Sequence, residues 1–173
     1  MTRLFPQLLG SAFVELAPRV QELHRRAGTQ HYRGEVEVER GRSPLAALCG
    51  WATRLPPAGC GPIEVEIIVD AQGERWTRHV GAHAMRSCLW AADGLLHERL
   101  GLVEFGFRLF ADQGVLKWQV ACVRVLGLRL PVRWFAGVAA HEFERDGRYG
   151  FDVQAALPLV GPLLRYRGWL DVN

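Results

Sequence analysis

Two His-Glu dipeptides carry the residue types needed for acid–base chemistry. They are His97-Glu98 and His141-Glu142. Imidazole and carboxylate groups can donate and accept protons near neutral pH. Each dipeptide falls in a segment whose pattern is typical of a β-strand, where adjacent side chains point to opposite faces. The two members of one dipeptide therefore cannot act together at one site.

Residues that share a strand face offer a second arrangement. Arg99 shares a face with His97, and Glu142 lies on the other His-Glu segment. If these faces point into a closed sheet, Arg99 can pair with Glu142, or His97 or Glu142 can act as an acid or base. The alternative is a solvated face or an ion pair without a catalytic role. We assign no catalytic residue from this pattern.

An arginine also lies on an apolar strand face. Trp76, Arg78 and Val80 alternate along one segment and would share a face. Because a lone buried charge is very costly, Arg78 needs a carboxylate of the protein or of a ligand as its partner. An internal salt bridge is the more common arrangement, and a bound anion is the alternative.

Common cofactor and catalytic signatures are missing from the sequence. It contains no GxGxxG, GxxxxGK[ST], GxSxG or HExxH motif. The four cysteines form no CxxC pair and match no zinc spacing. His79 and His83 are four residues apart, a spacing that aligns ligands only on a helix. The sequence therefore predicts no metal site and no cofactor, and it leaves open enzymes whose residues are scattered.

Composition and charge exclude several classes of protein. Hydrophobic residues make up 49% and charged residues 23% of the 173 residues, and the net charge is +3. Acidic residues are interleaved with the basic ones, which disfavours nucleic-acid binding. No apolar run approaches the ~20 residues that span a bilayer. The cysteines are interpreted as reduced, small apolar residues, which favours a cytoplasmic location.

Helices are predicted in two regions that precede most of the strands. Apolar residues recur at helical spacing from Phe5 to Leu23, and Pro18 divides this region into two short helices. Ser43 is a plausible N-cap with Pro44 in the first helical turn of a further helix. The pattern predicts helices at about 4–27 and 44–55.

The remaining sequence has the period of two that is typical of half-buried strands. Ile63, Val65 and Ile67 alternate with acidic residues, and Asp93-Gly94 and Asp146-Gly147 predict hairpin turns. About nine strands joined by short turns predict a curved or barrel-like antiparallel meander. We expect one α+β domain, residues 1–173, mainly antiparallel β, with the helices packed on a β meander of residues 33–172.

Aromatic residues on these strands would either fill a closed sheet or line a cavity in it. In the ligand-binding hypothesis, aromatic side chains cover an apolar ligand and two arginines hold an anionic head, with His97 and Glu142 nearby. The predicted ligand-binding set is Trp76, Arg78, His97, Arg99, Phe107, Trp118 and Glu142.

The order of several short motifs resembles an uncharacterised bacterial family, domain of unknown function 4166. That resemblance supplies no activity. It implies a possible oxidoreductase partner, because in the family the domain occurs alone or C-terminal to oxidoreductases that resemble saccharopine dehydrogenase. The motifs that carry the likeness are Leu8-Leu9-Gly10 with Phe13 and Leu16, Val20 with Leu23-His24, Gly73-Glu74-Arg75-Trp76-Thr77-Arg78, Leu96-His97-Glu98-Arg99-Leu100-Gly101, Asp146-Gly147-Arg148 and Gly168-Trp169-Leu170.

Three functions are compatible with these patterns. The first is a module that binds an apolar or amphipathic anionic small molecule, either by itself or as an accessory to an oxidoreductase. The second is an enzyme with a His/Glu acid–base site in the cavity of the curved sheet, which requires His97 and Glu142 to converge. The third is a protein–protein interaction module, which requires a large exposed apolar patch.

Overall fold

The structure is a computed structural model that describes residues 3–53, 55–158 and 160–172. The side chain of Cys49, predicted to be a reduced thiol, lies outside the described residues, as does position 54 in the helix predicted at 44–55. Three other cysteines, Cys60, Cys88 and Cys122, carry free thiols.

Short helices precede the barrel and follow its first strand. Helix α1 spans Leu4–Leu9, and a 3-10 segment over Gly10–Glu15 leads to α2 at Pro18–Arg25. The division at Pro18 is as predicted. Helix α3 spans Pro44–Ala52. The predicted N-cap is confirmed, because Ser43 Oγ accepts a hydrogen bond of 3.1 Å from the Ala46 amide. None of the described helices has both the length and the apolar character needed to cross a bilayer.

Eleven antiparallel strands form one sheet. A second 3-10 segment, Val132–Phe135, lies between the eighth and ninth strands. The strands are β1 Gly28–Arg40, β2 Gly59–Val69, β3 Glu74–Val80, β4 His83–Ala92, β5 Leu95–Leu100, β6 Val103–Asp112, β7 Val115–Val125, β8 Leu128–Leu130, β9 Ala139–Arg145, β10 Arg148–Leu157 and β11 Gly161–Asp171.

The sheet closes into a ten-stranded barrel. Its order is β6-β5-β4-β3-β2-β1-β11-β10-β9-β7-β8, and an additional β6–β7 pairing closes the ring. Strand β8 adds to β7 outside the ring. The predicted barrel-like antiparallel meander with short N-terminal helices is therefore confirmed, with more strands than the nine expected. Closure leaves few strand edges free to pair with another chain.

Alternation along the strands explains which side chains fill the barrel. Ile63, Val65 and Ile67 are buried inside, whereas Glu64 and Glu66 of the same strand point outward. The same period of two places Val36 of β1 inside the barrel. Most inner positions are apolar, so the interior of the barrel is the hydrophobic core.

The two ends of the barrel differ. The N-terminal helices cover one end, where the Ala17 amide donates to the Gly114 carbonyl at 2.9 Å and the Arg19 amide donates to Glu144 Oε2 at 2.9 Å. We call this the plug end. Strand β7 runs from there to the opposite end, which we call the mouth. Helix α3 lies at the mouth, because it follows the end of β1 farthest from α2, and Ser43 Oγ donates to the Val160 carbonyl at 3.2 Å.

Candidate functional site

A cavity of about 300 Å³ occupies the barrel between the plug end and the mouth. Most of its lining is aliphatic or aromatic, and the lining near the mouth is almost entirely so. The apolar side chains around the mouth half include Leu55, Leu100, Val103, Val125, Leu130, Phe135, Val138, Leu157 and Leu163.

Polar groups in the lining lie deeper, from the middle of the barrel toward the plug end. We call this set the polar cluster. It comprises Arg78, Glu98, Glu142, Tyr149 and Tyr166. Each side chain comes from a different strand, β3, β5, β9, β10 and β11 respectively, so barrel closure is required to bring them together.

Arg78 is the buried cation of the polar cluster. Its Nη1 donates to Ser87 Oγ at 3.0 Å, and its Nη2 lies 3.5 Å from Glu98 Oε1. The guanidinium carbon is 4.8 Å from the centre of the Trp76 ring, a cation–π distance. Burial alone would lower the pKa of Arg78, but the charges and hydroxyls around it, with Tyr166 and Glu98 foremost, raise it above its ordinary value. The side chain therefore remains cationic.

A second buried polar pair joins the N-terminal helices to the barrel wall. His24 Nε2 on α2 lies 2.6 Å from Glu142 Oε2 on β9, and both side chains are buried. Phe5 of α1 stacks on the imidazole with 3.6 Å between ring centres. The helices therefore cover the plug end with an aromatic ring and supply an imidazole partner for the buried carboxyl group of Glu142.

Glu74 is a buried carboxyl next to this pair. Its Oε2 accepts a hydrogen bond of 2.8 Å from Trp76 Nε1, which fixes the indole that packs on Arg78. Burial raises the pKa of Glu74 above its ordinary value, although the charge of His24 and the Trp76 hydrogen bond oppose the change. Glu74 thus acts mainly to orient Trp76.

The two tyrosines of the polar cluster are buried phenols. Burial raises the pKa of Tyr166 to about 12, although the positive charge of Arg78 opposes this. Burial, followed by the charge and hydrogen bonding of Glu142, raises the pKa of Tyr149 well above its ordinary value. Both side chains therefore keep their hydroxyl protons at neutral pH and can donate hydrogen bonds.

Trp118 supplies a further donor in the lining. Its ring lies 5.4 Å from that of Phe107 and 5.6 Å from that of Phe5, measured between centres. Its Nε1 is buried and has no hydrogen-bond acceptor among the described residues. A buried N–H without an acceptor is costly, so this position favours a ligand that brings an oxygen.

The structure brings five of the seven sequence-predicted site residues to one cavity. They are Trp76, Arg78, Phe107, Trp118 and Glu142. His97 and Arg99 lie outside the lining, because Glu98 takes the inward position between them on β5. Arg99 is exposed and lies over the outward-facing Trp90 at 6.0 Å. The suggested pairing of Arg99 with Glu142 does not form, since the two side chains are on opposite sides of the barrel wall.

His97 is buried on the outer side of the wall. Its ring stacks on Trp90 at 5.4 Å between centres, and its Nδ1 is 3.4 Å from Glu104 Oε1 without hydrogen-bond geometry. Glu142 instead binds His24 inside the barrel. The two groups proposed from sequence as an acid–base site therefore do not converge.

Sequence reasoning missed several members of the site. Glu98 shares the period-two face of Leu96 and Leu100, which would have indicated its inward direction. His24 follows Val20 by four residues and so lies on the buried face of α2. No group of three or more His, Cys, Asp and Glu side chains suited to a metal ion occurs within residues 3–53, 55–158 and 160–172.

Comparisons with known proteins give one family and a distant structural likeness. No curated protein matches the sequence. The fold is similar to the crystal structure of Rv2717c from M. tuberculosis, with a TM-score of 0.44 and 13% sequence identity over 90% of this chain and 97% of that one. Residues 16–170 match the family described as a domain of unknown function, DUF4166. The chain belongs to the DUF4166 family.

Proposed function

We propose that the protein binds an apolar or amphipathic small molecule inside the barrel. The observation that carries this proposal is the distribution of polarity in the cavity. Its mouth half is mainly apolar, with Thr53 and Gln154 as polar exceptions, and its deep half contains the polar cluster and the Trp118 N–H. A ligand with an apolar body and one oxygen-bearing head matches this distribution when the head points toward the plug end.

The size and lining of the cavity are those of a small-ligand site. Its volume of about 300 Å³ is at the lower end of the ~300–1,000 Å³ that such sites commonly have. Mainly apolar walls with a few convergent polar groups are also typical of them. The volume favours a ligand with one short apolar chain or a small ring system.

The head group is constrained by the charges around it. Arg78 has donors beyond the one that binds Ser87, but Glu98 already lies 3.5 Å from its Nη2. Glu142 adds a second carboxylate to the cluster. An anionic head must therefore compete with Glu98 for Arg78, whereas a hydroxyl or carbonyl head can accept from Arg78 or Trp118 without adding charge. An anionic ligand and its neutral analogue are the informative pair to compare.

Ligand binding can be tested with two probes of equal chain length, a medium-chain fatty acid and the matching fatty alcohol. Isothermal titration measures their affinities, and native mass spectrometry of the purified protein detects any ligand already bound. Saturable binding of either probe at one site supports the proposal, and the tighter of the two identifies the head-group class. Absence of saturable binding by both probes, together with no retained ligand, would refute it.

Two substitutions locate the bound molecule. Ala140→Trp fills the cavity from its lining and should abolish binding. Ala84→Trp is the matched control, because Ala84 precedes the inward-facing Met85 on β4 and so points outward. Trp118→Phe removes the unpaired N–H but keeps the ring, and it should weaken binding of the oxygen-bearing probe roughly tenfold, the effect of one buried hydrogen bond. If the Ala140→Trp and Ala84→Trp variants bind the probes with equal affinity, the ligand does not lie in this cavity.

A further inference from the structure

The mouth of the barrel carries most of the exposed hydrophobic surface. Nine large hydrophobic side chains are exposed among the described residues, and only Val14 and Phe110 lie toward the plug end. The other seven come from α3, the β5–β6 turn, the β7–β8 hairpin and the 3-10 segment Val132–Phe135. We call them the mouth rim: Leu48, Trp51, Leu102, Leu126, Leu128, Val132 and Trp134. Such clustering marks an interaction surface.

The mouth rim is continuous with the cavity lining. Leu102 and Leu126 are each adjacent in the chain to a lining residue, Val103 and Val125. The Leu126 amide donates to the Leu102 carbonyl at 3.1 Å, which holds these two turns together. Apolar residues of these two turns therefore lie beside apolar residues of the cavity lining at the mouth.

Leu126 occupies a turn position that disfavours leucine. It has a φ of +51° and precedes Gly127, and three other hairpins place a polar residue in the same conformation before glycine. Those residues are Asp93, Gln113 and Asp146. Left-handed backbone is unfavourable for a non-glycine residue, and Asn or Asp tolerates it best. The Leu126 side chain is nevertheless 72% exposed. Neither the geometry of the turn nor burial within this chain therefore explains why a leucine occupies this position.

Most of the segments that form the mouth rim lack acidic residues, and Glu104, two residues after Leu102, is an exception that pairs with Arg124 at 2.7 Å. The sequence contains no Asp or Glu between Asp112 and Glu142, a stretch that includes β8 and the 3-10 segment. Arg129 and Arg133 in this stretch are exposed. The stretch from Gly41 to Ile63, which contains α3, also lacks acidic residues. An apolar surface bordered by arginines complements an anionic lipid surface.

We propose that the mouth rim docks on the surface of an anionic lipid bilayer. Leucines of the two turns enter the interface, Trp51 and Trp134 lie at the headgroup level where indole rings are favoured, and the arginines contact lipid phosphates. In this orientation the cavity opens directly to the acyl region. An apolar ligand can then pass between the bilayer and the barrel without crossing water. The docking surface extends beyond the proposed ligand site and can be tested without any ligand.

Vesicle sedimentation with the full chain tests this proposal. Phosphatidylcholine vesicles are compared with vesicles that also contain phosphatidylglycerol, at low and high salt. We expect tighter, salt-sensitive binding to the anionic vesicles. Leu126→Asn should weaken binding about tenfold while raising the thermal midpoint, because asparagine suits the turn. Weaker vesicle binding together with a higher thermal midpoint shows that Leu126 serves docking, because a residue needed only for folding would lower the thermal midpoint when replaced. Arg129→Gln and Arg133→Gln should each weaken binding to anionic vesicles about fivefold.

Val14→Gln is the matched control, because Val14 is an equally exposed apolar residue at the plug end. It should leave vesicle binding unchanged. The proposal is overturned if Leu126→Asn binds vesicles like the unaltered protein, or if Val14→Gln loses binding equally. It is also overturned if sedimentation velocity shows a dimer that Leu126→Asn dissociates, since the mouth rim would then join two copies. If the protein binds the fatty-acid or fatty-alcohol probe but not vesicles, the membrane-docking proposal fails and the ligand-site proposal remains. If it binds vesicles but neither probe, the ligand-site proposal fails and the docking proposal remains.

Discussion

His24 Nε2 on α2 lies 2.6 Å from Glu142 Oε2 on β9, inside the plug end of the barrel. This pair is a buried side-chain link between the N-terminal helices and the cavity wall, and Phe5 covers it. The helices therefore do more than cover apolar surface. They add an imidazole to the contacts of a buried carboxyl group of the cavity lining, which also hydrogen-bonds with Tyr149.

Removing one member of this pair should cost more than removing both. We expect His24→Leu to lower the free energy of unfolding by roughly 1–3 kcal/mol, because it removes the imidazole partner of the buried Glu142 side chain. The double variant His24→Leu/Glu142→Leu should lose less than the sum of the two single variants. Urea denaturation of the four proteins measures the coupling. Additive losses would contradict the pairing.

All three tyrosines should resist ionisation in the folded protein. Burial raises the pKa of Tyr32, Tyr149 and Tyr166, the last to about 12. Above about pH 10 the unfolded state releases tyrosine protons that the folded state retains. The contribution of these tyrosines to the free energy of unfolding is therefore fully present below that pH and decreases as pH rises above it. Absorbance at 295 nm should therefore show tyrosinate only as the protein unfolds. A tyrosinate signal near pH 10 from protein with native circular dichroism would contradict this prediction.

Glu74→Gln should stabilise the protein at neutral pH. Burial raises the pKa of Glu74 above that of an ordinary glutamate. Ionising this carboxyl group therefore destabilises the folded state at any pH above the ordinary glutamate pKa. Stability attributable to this group is greatest at acidic pH and decreases as pH rises. Glutamine keeps an oxygen that can accept from Trp76 Nε1 and does not ionise. Thermal midpoints of the two proteins should converge near pH 4 and diverge by pH 7. Equal thermal midpoints of the two proteins at pH 7 would contradict this prediction.

Gly34→Ala should destabilise the closure between β1 and β11. A Cβ at Gly34 would lie 1.8 Å from the Trp169 carbonyl oxygen, which is backbone and can move only with the strand. We expect a loss of about 1–3 kcal/mol or more in the free energy of unfolding. Gly61→Ala is the matched control on the neighbouring strand, because a Cβ there meets nothing within 4 Å. Equal stability of the two variants would contradict the close approach.

The architecture of the barrel could be predicted because its strands alternate clearly. Ile63, Val65 and Ile67 define an inner face with no competing interpretation, and Asp93-Gly94 and Asp146-Gly147 locate two hairpins. Burial of Arg78 next to Trp76 followed from the same alternation. These features depend on local sequence and need no knowledge of which strands are neighbours.

The remainder of the site depends on tertiary arrangement. In β5, Leu96 and Leu100 share the face of Glu98 and only Leu95 shares that of His97, so the inward direction of Glu98 depended on a difference of one leucine. The contact between His24 and Glu142 joins a helix to a strand far along the chain, which no local period encodes. The mouth rim likewise becomes visible only when the ends of the strands are known.

Pairing of β1 with β11 has a consequence for synthesis on the ribosome. Gly34 pairs with Leu170, so strands from opposite ends of the sequence complete the ring. Until β11 emerges, the nascent chain holds a curved sheet whose β1 margin has unbonded amide and carbonyl groups. Contacts this distant in sequence form slowly, and such a margin is a place where two incomplete chains can join. A chain that stops before Gly161 would keep this unpaired strand edge and remain prone to aggregation. We expect chaperone binding to the nascent chain to decrease once β11 has emerged from the ribosome.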